Sequence, residues 1–145
     1  MIPSDPRFAE AAECFDHQHF FEAHEVWEAL WRDLPRSADL DAPGSDRRFV
    51  QGLIQLAVSF EHWKRGNPRG ARGQWEKAAE KLSVCGAERN GVKLVMLLER
   101  AQQFYGARDL PAAERAQAAG TWATPQGEPY PTLPYSQSIT ALSPR

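Results

Sequence analysis

Apolar residues recur at three- and four-residue intervals along most of this chain, and no sustained two-residue alternation interrupts them. That period belongs to helices with one buried stripe. It restricts the fold to the all-α class: a single compact bundle of about five helices with an extended proline-rich C-terminal tail. The first helix is expected over residues 5–15, with Asp5 as cap, Pro6 in the first position and Phe8, Ala12 and Phe15 on one side. The second, over 19–34, carries Phe20, Ala23, Trp27, Leu30, Trp31 and Leu34 on one wide face, and Pro35 ends it. A loop follows over 36–45. The third helix, from 46 to Gly66, is apolar around most of its circumference, which places it centrally.

Gly66-Asn67-Pro68 supplies a left-handed stop, an N-cap and a first-turn proline in succession, so it predicts a tight corner between antiparallel helices. The fourth helix is expected over 68–84 and the fifth over 90–105. A weak helix fits 112–119, and 121–145 has no helical period. The expected division is a bundle domain over 1–106 and a proline-rich extension over 107–145, either partly packed or disordered. On the fifth helix, Leu94, Leu97, Leu98 and Ala101 fit either the core or a homo-oligomer interface. Gly52, in mid-helix, implies the close approach of another helix, and the one carrying Ala23 and Trp27 is the candidate.

A chain of 145 residues suits one domain. Its net charge of -2, with Lys and Arg spread among acids, disfavours nucleic acid as a partner. Cys14 and Cys85 have neither metal-site nor redox-motif spacing, so both are expected as reduced thiols. The N-terminus lacks the pattern of a signal peptide. The longest apolar stretch, 49–60, is broken by Gln51, Gln55 and Ser59 and is too short to span a bilayer. The expected location is the cytoplasm, with no membrane partner.

At about 100° per residue, His24 falls within about 40° of Phe20, on the edge of the second helix's buried face. Glu28 is one turn further on, just outside that edge, and Glu25 flanks both. On the third helix, Gln51, Gln55, Ser59 and His62 form one polar stripe. Buried polar groups need partners, because an unpaired one costs about 1–3 kcal/mol. The economical arrangement has the stripe facing His24, Glu25 and Glu28. Three chemistries then compete. Imidazoles and carboxylates could hold a divalent metal, with His24, Glu28 and His62 as ligands. A carboxylate could orient His24 as a general base for hydrolysis. Or the network only fixes helix packing. The structural or binding alternatives are favoured over catalysis. His24-Glu25-Val26-Trp27-Glu28 is not the zincin HExxH, and no Glu-x-x-His, P-loop, dinucleotide fingerprint or GxSxG occurs. His17 and His19 are expected as exposed loop residues, and Trp27, Trp31, Trp63 and Trp75 as core or interface residues.

Phe20-Phe21-Glu22-Ala23-His24-Glu25-Val26-Trp27-Glu28 with Trp31 resembles the first signature of domain-of-unknown-function family 309. Residues 49–57, then His62, Gly66-Asn67 and Gly70-Ala71, resemble its second. The resemblance covers about 15–82 and implies a compact all-α fold with no established activity. Its matching positions are Glu22, His24, Glu25, Glu28, Gln51, Gly52, Gln55 and His62. Asp16-His17 and Trp27 depart from the usual pattern without touching the cluster. The site expected from residues and resemblance together is His24, Glu25, Glu28, Gln51, Gln55 and His62, binding a metal ion or a small ligand, with hydrolysis as an option. The alternative is a non-enzymatic interaction module.

Overall fold

The computed structural model describes residues 5–35 and 42–136. Most of the expected loop over 36–45, the first four residues and the last nine lie outside the described residues. The described chain is mostly helical, with six helices and one small hairpin: α1 (Pro6–Asp16), α2 (Phe20–Asp33), α3 (Asp46–Lys64), α4 (Pro68–Leu82), β1 (Glu88–Arg89), β2 (Val92–Lys93), α5 (Leu94–Ala107) and α6 (Leu110–Ala118).

Helix starts follow local chemistry. The side chains of Asp5, Ser45, Asn67 and Asp109 each accept a backbone N–H from the first turn of α1, α3, α4 and α6. Gly66 has a φ of +82°, which lets the chain leave α3 and turn at once into α4. α3 is central: it packs against α2 on one side and α4 on the other, and α1 packs on α2.

Two expectations are corrected. The fifth helix begins at Leu94, not near Asn90, because Asn90 and Gly91 both take positive φ (52° and 79°). That is the backbone of a tight hairpin turn whose twist suits the flanking strands, and it pairs Glu88 with Lys93 and Arg89 with Val92. A sixth helix follows α5 after a two-residue turn and lies against α4. Gly52 does mark a close approach, but by α4 rather than α2. A Cβ there would lie 2.7 Å from Leu82 Cδ2 and 2.8 Å from Leu82 Cγ.

The core is strongly aromatic. Phe60 contacts the rings of Phe15, Phe20, Phe104, Tyr105 and Tyr130. The segment 121–136, without helix, lies over this core. Tyr130 and Leu133 are buried in it, and Trp122 packs on Trp63 with ring centroids 5.2 Å apart. Asp16 fastens the segment, accepting from the Leu133 N–H (2.8 Å) and the Tyr135 hydroxyl (3.0 Å). On α5, Leu94, Leu97 and Ala101 belong to the core and Leu98 is half-buried, while Val95 and Met96 are exposed. Cys14 and Cys85 are free thiols, and burial pushes both above the usual thiol range. Among the described residues no helix is long and apolar enough to cross a membrane.

Candidate functional site

The N-terminal end of α2 and the C-terminal end of α3 run side by side, because the two helices are antiparallel and joined at their other ends. Between them lies a groove of about 210 Å³ lined by Phe20, Phe21, His24, Val58, Glu61, His62 and Arg65. His24 and His62 thus meet in one groove. Glu25, Glu28, Gln51 and Gln55 are not among its lining residues. A second recess, of about 340 Å³, is lined by Pro43, Gly44, Arg48, Glu80, Lys81 and Val84, none of which belongs to the expected site.

Each expected residue has a definite place. Glu25 is exposed. Glu28 sits between two side chains of its own helix, with Oε1 at 3.5 Å from His24 Nε2 and Oε2 at 3.5 Å from Arg32. Both separations exceed a firm charge-assisted hydrogen bond. Gln51 and Gln55 are half-buried, and Gln55 Oε1 finds no hydrogen-bond partner among the described residues. Ser59, counted in the same stripe, is fully buried and turned the other way. It donates to the Ala71 carbonyl (2.7 Å) and meets the Tyr105 hydroxyl (2.5 Å), tying α3 to α4 and α5.

The metal set His24, Glu28 and His62 is not assembled. Among the described residues no three His, Cys, Asp or Glu side chains form a group able to hold a metal ion. The hydrogen bonds of His62 give a chemical reason. Asn67 Oδ1 accepts the backbone N–H of Gly70 (3.0 Å) and the side-chain amide of Gln117 (2.7 Å). Gln117 Oε1 in turn accepts the backbone N–H of Arg69 (2.8 Å). A backbone N–H can only donate, so both amides are fixed in orientation. Asn67 therefore presents its NH₂ to His62 Nδ1, at 3.2 Å. Nδ1 must accept, and the ring proton sits on Nε2. A metal ligand needs an unprotonated ring nitrogen, and His62 has none to offer the groove.

His24 has a different arrangement. Its Nδ1 lies 3.3 Å from the Phe21 carbonyl and its Nε2 3.5 Å from Glu28 Oε1, so both ring nitrogens face groups that can only accept. The groove thus holds one imidazole held as a donor through Nε2 and a second whose two ring nitrogens both face acceptors. Gly70 makes the first arrangement possible: a Cβ there would overlap the Asn67 amide and lie 2.9 Å from His62 Cγ.

Glu61 and Arg65, absent from the expected site, form the outer wall of the groove. Arg65 Nε donates to Glu61 Oε2, one helical turn away, and its guanidinium carbon lies 5.6 Å from the centre of the Phe21 ring. Phe21 is 44% exposed and stands at the rim beside His24, with ring centroids 5.6 Å apart.

Residues 8–74 match the sequence model of the family described as a domain of unknown function, DUF309, which shows the resemblance read from the two signatures. The matched stretch contains both walls of the groove, Asn67 and Gly70. The chain is also similar to the uncharacterized protein YpuF of Bacillus subtilis (strain 168), 32% identical over 91 residues, which are 59% of this chain and 47% of YpuF. It therefore spans about half the length of the curated relative it matches. No solved structure matches the chain.

Proposed function

We propose that this chain is a small helical binding module whose site is the α2–α3 groove and whose ligand is a small organic molecule rather than a metal ion. One observation carries this: His24 and His62, from different helices, line one groove together with the apolar side chains of Phe20, Phe21 and Val58, and His62 is held there as an Nε2–H donor. Binding sites combine an apolar lining with a few placed polar groups, and this groove has both. Hydrolysis is not part of the proposal. The lining offers no Ser, Thr or Cys as nucleophile, and the one lining carboxylate, Glu61, is paired with Arg65. Glu25, Glu28, Gln51 and Gln55 serve as packing and surface residues around the site. The two free thiols suit a reducing compartment, which supports a cytoplasmic location.

A second reading, a docking surface for another copy of the chain, is favoured by the exposed ring of Phe21 at the groove rim. The two separate on one sample. Backbone amide NMR spectra of the full chain, titrated with one-ring probes (benzoate, benzyl alcohol and benzylamine), are expected to show saturable shifts at Phe21, His24, Val58 and His62, with the protein monomeric by sedimentation. No shift from any probe overturns ligand binding. A concentration-dependent dimer abolished by Phe21→Ser favours the second reading. Protein purified without chelator or affinity tag is expected to carry no stoichiometric metal, and metal lost on His24→Ala would contradict the assignment.

A further inference from the structure

Resting on the groove as the binding site, we infer that its ligand is a small organic carboxylate with an apolar body about the size of one ring. The polarity of the groove follows from which hydrogens are already in use. His62 is held as an Nε2–H donor by Asn67, and Asn67 is held by Gly70 and Gln117, so this donor cannot turn into an acceptor without breaking the N-cap of α4. Arg65 uses Nε for Glu61, and that bond leaves the two terminal nitrogens of the guanidinium to other acceptors. The Glu61 carboxylate is matched by the same guanidinium. A carboxylate can accept from the imidazole N–H and from the guanidinium together, with the second bond charge-assisted. An amine would face the fixed N–H of His62 and the Arg65 cation, with Glu61 already paired.

Phe20, Phe21 and Val58 set the body of the ligand. At about 210 Å³ the groove is smaller than the 300–1,000 Å³ common for drug-sized ligands, so it suits one ring and not a nucleotide. The same donors could take inorganic phosphate, but phosphate would leave the apolar floor uncovered.

The test uses the full chain, at neutral pH and fixed ionic strength, with four probes: benzoate, benzylamine, benzyl alcohol and inorganic phosphate. Benzoate is expected to shift the groove amides with an affinity about tenfold above that of the alcohol, the factor that one charge-assisted hydrogen bond supplies. Arg65→Gln, at an exposed position where folding is not at stake, is expected to remove that tenfold advantage, so that benzoate and benzyl alcohol bind alike, and a tenfold advantage kept in the variant would overturn the guanidinium as the carboxylate's partner. Benzylamine or benzyl alcohol binding as tightly as benzoate would overturn the carboxylate while leaving the groove a ligand site. Phosphate matching benzoate would overturn the apolar body. Failure of all four probes would overturn both the inference and the reading it rests on.

Discussion

Replacing Asn67 with alanine removes three hydrogen bonds from one corner of the fold. The Gly70 N–H loses its N-cap acceptor, Gln117 loses the oxygen to which it donates, and His62 Nδ1 loses its donor. Loss of an Asn cap costs about 1 kcal/mol. His62 and Gln117 are half-buried, so water partly replaces each lost bond and each adds about 0.5 kcal/mol. The expected loss for Asn67→Ala is about 2 kcal/mol, or a fall in Tm of about 4–8 °C for a domain of this size. Asn67→Asp separates the two roles of the residue. It keeps an oxygen for Gly70 and Gln117 but puts a second oxygen against the His62 lone pair, so His62 must move its proton to Nδ1 or gain one. That variant should lose less than about 1 kcal/mol while changing the protonation of His62. Urea denaturation of the three proteins gives the stabilities. An Asn67→Ala loss below about 0.5 kcal/mol, or equal losses for both variants, would refute the capping-and-lock account.

Three further outcomes are expected by the same assay. Gly52→Ala should destabilise by about 1 kcal/mol, because the new methyl meets the branch point of the fully buried Leu82, and this strain exceeds the gain in helix propensity; a stabilised variant would show that α4 can retreat. Ser59→Ala should cost about 2 kcal/mol, since it removes the second donor to the Ala71 carbonyl and strands the buried Tyr105 hydroxyl; a loss near zero would mean the hydroxyl re-partners. At Asp16, burial pushes the carboxyl above its ordinary value of about 3.8 despite two hydrogen bonds. A raised native value means that the folded state holds the proton more tightly, so this contribution is present below about 3.8 and is lost as pH rises through the native value. Asp16→Asn, which keeps an acceptor for the Leu133 N–H, should flatten that part of the stability–pH curve, and an unchanged curve would show that Asp16 is not its source.

Much of the bundle was legible because its signals are local. Asp5-Pro6 at the start of α1, the apolar stripe of α2 and Gly66-Asn67-Pro68 each act through a few neighbouring residues, and the structure follows them within a residue or two. The hairpin also had a local signal, Asn90-Gly91, but its strands are two residues long and leave no period to notice. The groove was only half legible. Wheel arithmetic placed His24 at the edge of its helix, yet it could not say which part of α3 that edge meets. Gln51, Gln55 and Ser59 share a stripe with His62, but α2 and α3 are antiparallel, so His24, near the start of α2, lies beside the last turns of α3. Glu61 and Arg65 were overlooked because a spaced carboxylate and guanidinium on one helix ordinarily form a solvated pair. The second role of Asn67 depends on Gln117, 50 residues further on, and no spacing rule connects them.

The central claim is that His62, locked by Asn67, presents a fixed Nε2–H to the groove. A long-range proton–nitrogen correlation spectrum of the imidazole rings in the full-length chain reads this directly. The expected result is His62 protonated at Nε2, with a changed protonation pattern of that ring in Asn67→Asp. A His62 protonated at Nδ1 in the native chain would contradict the claim.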